Sequence, residues 1–183
     1  HDRVFRSFDV IGALRTAAEA EGMGLWAWYP TVYSTGAPAE GPEFTTAWQF
    51  ESRFGREHPE VLSVDRAGTK HYAVWEYAYP EARAAKIREF VAFAKEFGFR
   101  KFVACLRTES GQFQPPPPHA DQFGFNAPVV EEMKRRHGVD IRTDARFDYA
   151  SPAWNPMDPM VENWRRLRGE HPTTFYRELR QAL

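Results

Sequence analysis

Two carboxylates, an arginine, a histidine and an asparagine gather around one short segment and the loop that follows it. Lys101-Phe-Val-Ala-Cys-Leu-Arg-Thr-Glu-Ser110 is an apolar run of strand length that opens into polar residues. The loop beyond it ends in Asp121-Gln-Phe-Gly-Phe-Asn126. In α/β proteins, ligands and catalytic groups collect at the C-terminal end of parallel strands. Glu109 lies just past the run, where a carboxyl group can act as a general acid or base. Arg107 beside it favours the ionised form, so a donor role requires burial to outweigh that charge; the alternative is a structural Arg–Glu pair. His119 and Asp121 sit near the far end of the loop. Either the loop folds them over the same site, or Asp121 anchors it to nearby backbone amides. Asn126 reads most simply as the cap of the next helix, with ligand binding as the alternative.

Other residues offer weaker signals. Trp75, Glu76, Tyr79, Tyr33 and Trp48 are further candidates for the mouth of a site, and His58 either contacts ligand or fixes its own loop. The histidines lack tight metal-ligand spacing and Cys105 is the only cysteine, so neither a metal site nor an intrachain disulfide is expected. Cys105 reads as a buried thiol within its apolar run. There is no GxGxxG, no phosphate-binding loop and no GxSxG, and no cofactor is expected.

These residues need elements to position them. Phe8 to Glu21 has helical periodicity, with Val10, Ile11, Leu14, Ala17 and Ala18 on one face and Gly22 as its stop. Met23 to Tyr29 reads as a first strand, followed by a Gly/Pro-rich loop to about Pro42 and a short amphipathic helix near Thr46 to Arg56. Asp65-Arg-Ala-Gly68 is a turn signal, and His71 to Tyr77 a second strand. Pro80 suits the first turn of a helix running to Phe97 and stopped by Gly98. Phe102 to Leu106 is the third strand. Ala127 to His137 forms the next helix, and Met160 to Leu183 a last one that Pro172 should kink or split near Glu170. Helix and strand alternate, which predicts an α/β fold with parallel strands, flanking helices and right-handed crossovers. A closed (β/α) barrel needs eight strands and ~250 residues. About three βα units therefore predict one domain over residues 1–183, part of a TIM barrel or else a small open sheet. Such a fragment is expected to self-associate through its unpaired strand edges.

Charge is balanced, with 24 Lys and Arg against 25 Asp and Glu, which speaks against nucleic acid or an anionic membrane surface as partner. Lys134-Arg-Arg-His137 reads as a solvated helix end rather than a nucleic-acid patch. No run is apolar enough to span a membrane. The chain begins almost on a helix and stops on one, which reads as an excised piece. The compartment is left open, a secreted or periplasmic parent being one option.

Several segments resemble bacterial glycosyl-hydrolase-like proteins of the family-10-like barrel group. In that group a loop reads REHPE…DRDG and a strand end reads YAYPEVR. Here Arg56-Glu-His-Pro-Glu60 precedes Val64-Asp-Arg-Ala-Gly68, and Tyr77-Ala-Tyr-Pro-Glu-Ala-Arg83 follows. Asp121 to Asn126, Val129 to Ile141 and Trp164-Arg-Arg-Leu-Arg-Gly-Glu170 resemble the segment after the group's fourth strand. The resemblance runs from about Phe8 onward and implies a TIM-barrel protein that acts on carbohydrate, with the remainder of the barrel in a longer parent chain. Hydrolysis of an O-glycosidic bond would need two carboxylates, for which Glu109 and Asp121 are the candidates. Arg107 would orient, His119 and Asn126 would contact substrate, and Trp28 and Tyr29 would stack on sugar rings, while Trp26 suits the core. Many relatives end the fourth strand in an acidic pair, as in DGIHFDDY, where this chain has Cys105, Leu106 and Arg107. That departure keeps open a non-catalytic barrel domain that binds a polysaccharide or oligosaccharide, and an α/β enzyme of unrelated chemistry is a third reading.

Overall fold

The structure, a computed structural model, describes residues 8–30, 53–105 and 120–183. In chain order its helices are α1 (Val10–Ala20), α2 (Arg53–Glu57), α3 (Pro80–Phe97), α4 (Ala127–His137) and α5 (Pro159–Ala182). Its strands are β1 (Ala27–Pro30), β2 (Leu62–Val64), β3 (Lys70–Trp75) and β4 (Phe102–Cys105). Helix and strand are mixed and one short parallel sheet is present, with Ala27 paired to Phe102 and Tyr29 to Ala104. The expected second strand lies elsewhere. β3 pairs antiparallel with β2, in a sheet distinct from β1–β4. The reason is the Asp65–Gly68 turn. Gly68 takes φ +87, Asp65 Oδ1 accepts the Thr69 amide at 2.7 Å, and the chain folds straight back on itself. Sequence reading marked the turn but not the three-residue strand before it.

Two cores stand side by side. In the first, Val61, Leu62, Val74, Trp75 and Tyr77 from the hairpin region pack on Ala82, Ala85 and Phe90 of α3 and on Phe175 and Leu179 of α5. In the second, Val129, Val130 and Met133 of α4 pack with Phe125, Ile141, Phe147, Val161, Trp164 and Leu167. The long helix α5 gives its first half to one core and its second half to the other. Pro172 does not break it. Packing of its two halves into the two cores holds the helix continuous through the proline, and the hydroxyls of Thr173 and Thr174 donate to the carbonyls of Gly169 and Glu170, at 2.8 and 2.9 Å. α1 begins with Asp9, whose carboxylate accepts the Gly12 amide at 2.8 Å. None of its residues is buried, and Leu14 is 52% exposed, so the expected inward face is uncovered among the described residues. Arg15 ties the helix to α3 by donating to the Phe97 carbonyl.

Candidate functional site

Residues 121–126 form the crossing point of the second core, and nearly every group in them has an assigned partner. Asp121 is 4% exposed. Arg165 of α5 grips it with Nε 3.2 Å from both oxygens and Nη2 2.5 Å from Oδ2, while Arg168 Nη1 stands 3.5 Å from Oδ1. Asp121 is thus held by two guanidinium groups of α5. An acceptor held by two cations is poorly suited to give up a proton. Gly124 takes φ +95, and a Cβ there would lie 2.4 Å from Arg168 Nε, so a side chain at this position would collide with the clamp. Trp164 Nε1 donates to the Gly124 carbonyl at 3.3 Å, and Arg168 lies over the same indole at 4.7 Å.

Asn126 is neither a side-chain cap nor a free ligand contact. It stands at the start of α4 without a capping bond. Its Oδ1 accepts the Val64 amide at 3.1 Å and its Nδ2 donates to the Leu62 carbonyl at 2.8 Å. One amide side chain reproduces the hydrogen bonding of a neighbouring strand along β2. Pro128 in the first turn lacks an amide hydrogen, which eases the need for a cap.

The two aromatic candidates of β1 part ways because successive strand residues face opposite sides. Trp28 is 66% exposed and pairs in register with Val103, itself half exposed. Tyr29 points into the aromatic cluster of α3, its ring centroid 4.7 Å from Phe90 and 5.3 Å from Phe93. Burial first, then Glu89, pushes its hydroxyl up to about 12. Tyr29 is therefore a packing residue and not a stacking platform. Trp26 reverses the opposite expectation: it is 56% exposed, with Lys101 Nζ 5.6 Å from its ring centroid. Arg107, Glu109 and His119, with Tyr33 and Trp48, lie outside the described residues.

Glu76 gains weight from the structure. It follows β3 directly, at the strand's C-terminal end, and its Oε1 accepts the Ala78 amide at 3.1 Å. Burial pushes its carboxyl up, against the pull of Arg168 and two backbone amides. Burial equally pushes the Arg168 guanidinium down, against the pull of Glu76 and Asp121. Arg168 therefore interacts electrostatically with both carboxylates. The strand-end position alone pointed to Glu76; Arg168 on α5, ninety-two positions away in sequence, left no local signal. His58 stacks on Phe54 at 4.4 Å and meets Glu60 at 3.0 Å, a loop-fixing arrangement. Trp75 is buried beneath Lys86 Nζ at 4.5 Å. Arg135 and Arg136 bind Glu132, and Arg136 also binds Glu170 with two 2.8 Å bonds, so these charges are engaged within the helices. Those arginines hold the Glu132 carboxyl down at about 2.

Among the described residues, no three His, Cys, Asp or Glu side chains converge as a metal site, and no helix is long and apolar enough to cross a membrane. No protein-family model, no curated protein and no solved structure matches this chain.

Proposed function

We propose that this chain acts on carbohydrate as a segment of a TIM-type (β/α) barrel, cleaving O-glycosidic bonds with carboxyl groups at its strand ends. Glu76 joins Glu109 as a proton-donor candidate, and Asp121 holds the loop. The observation that carries this reading is Glu76 itself. A carboxyl group whose burial favours the protonated form, placed directly after the antiparallel strand β3, is suited to donate a proton to a leaving oxygen. Arg168 opposes the shift and would restore the anion's stability after transfer.

The test is Glu76→Gln assayed on an unactivated oligosaccharide and on an aryl glycoside. Loss of a general acid lowers turnover of the oligosaccharide by roughly 10²–10⁴-fold and spares the aryl glycoside, whose leaving group needs no proton. Equal, unchanged turnover of both substrates would remove Glu76 from the chemistry and leave Glu109 to be tested the same way. The exposed Trp28 favours a second reading, sugar binding without cleavage, because a ring two-thirds open to solvent offers a flat apolar face to a pyranose. Wild-type protein that binds glycan, loses binding with Trp28→Ala and never cleaves would decide for that reading.

A further inference from the structure

We propose that the groove between the Asp65–Ala67 turn and the Asp148–Ala150 segment binds an uncharged, polyhydroxylated ligand, a short neutral saccharide. It is a subsite distinct from the outward face of β1, and it rests on the carbohydrate reading for the choice of ligand class. The groove encloses about 560 Å³, within the range of small-molecule sites. Its lining combines one exposed ring, Tyr149, with fixed polar groups. Phe125 and Phe147 are wholly buried in the wall, while Tyr149 is 39% exposed.

The polar groups are held before any ligand arrives. Arg66 Nε donates to the Arg142 carbonyl at 2.8 Å, and Arg66 Nη1 meets Asp148 Oδ2 at 2.9 Å. Arg142 in turn donates to the Phe125 carbonyl at 2.9 and 3.2 Å. Groups fixed in this way lose little conformational freedom on binding.

Charge speaks against an ionic ligand. Among the lining residues, Asp121 is neutralised from outside the groove by Arg165, and Asp148 by Arg66 within it. Asp65 and Arg142 remain, with opposite signs. A groove so balanced has no net attraction for an ion, yet it presents acceptors next to donors. A hydroxyl group needs both, because it donates to a carboxylate and accepts from a guanidinium. Adjacent hydroxyls on one ring match that alternation, and the ring's C–H face matches Tyr149.

The experiment is isothermal titration of the protein with cellohexaose, xylohexaose and mannohexaose, and with hexagalacturonate as the anionic counterpart. Wild type is compared with Tyr149→Ala, Asp148→Asn and Trp28→Ala, each checked for native circular dichroism. We expect at least one neutral hexasaccharide to bind, and Tyr149→Ala and Asp148→Asn each to weaken it about tenfold, the first by loss of a stacking ring and the second by loss of a charged acceptor. Tighter binding of hexagalacturonate would overturn the ligand class. Unchanged affinity in both groove variants, with loss only in Trp28→Ala, would overturn the groove and leave the carbohydrate reading intact. If no neutral hexasaccharide binds, both fall. If Asp148→Asn does not fold, Tyr149→Ala decides alone, since its ring is already exposed.

Discussion

Replacing Asp121 by Ala removes one carboxylate from two guanidinium groups at once. Breaking a fully buried ion pair costs about 3–5 kcal/mol, and an exposed pair at most about 1 kcal/mol. Asp121 is buried, but Arg165 and Arg168 are 34% and 23% exposed at the side chain, so the pair lies between those limits. Arg168 raises the cost, because burial already disfavours its charge and it would lose one of the two carboxylates, Asp121 and Glu76, that support it. A loss of about 3 kcal/mol is expected, which for a chain of this size lowers the melting temperature by about 6–12 °C. Asp121→Asn keeps the shape and one acceptor oxygen and should lose about half as much. Thermal and guanidinium unfolding of Asp121→Ala, Arg165→Ala and the double variant measure the coupling, expected above ~1 kcal/mol for residues in one network. Asp121→Asn that unfolds like wild type but no longer turns over glycan would refute the anchoring argument, and would return Asp121 to the chemistry.

Asn126→Ala should destabilise by about 2–4 kcal/mol, since it strands the Val64 amide and the Leu62 carbonyl together; faster amide exchange at Val64 in that variant would check the cause. His171 gives a pH signature. Burial, then Arg83, pushes its imidazole below the usual histidine range, with Glu170 and Glu132 pulling the other way, and Nε2 has no hydrogen-bond partner. The folded protein thus holds the neutral ring, while the unfolded chain takes up a proton first as pH falls through about 6.5. The His171 contribution is complete above that pH and is lost on acidification toward the folded value. Unfolding free energies measured from pH 7.5 to 5 should show that slope, and His171→Gln should flatten it.

Local rules carried most of the helices. Ala127–His137 falls where Pro128 and Gly138 place it, and Pro80–Phe97 likewise between its proline and Gly98. The hairpin escaped because β2 has only three residues, too few for an alternation to register, and because its ladder is completed by an asparagine side chain sixty-two positions away. Pro172 does not split α5, since packing of its two halves into two cores outweighs one missing amide. At the site, position along the chain marked Glu76 and the loop 121–126 as candidates, but their contacts run through Arg165 and Arg168. Tyr29 and Trp28 were separable by alternation alone; which of them faced solvent depended on where α3 packed.

The sharing of α5 between two cores also orders events in time. Neither the Phe175–Leu179 patch nor the Val161–Trp164–Leu167 patch can be filled until residues 159–182 have been synthesised. During translation the hairpin, α3 and α4 therefore emerge with their apolar faces open, exposed to chaperones and to one another. Closure then happens late and on both sides together, as a single helix docks. A premature stop between Phe147 and Pro159 would leave not one half-built core but two.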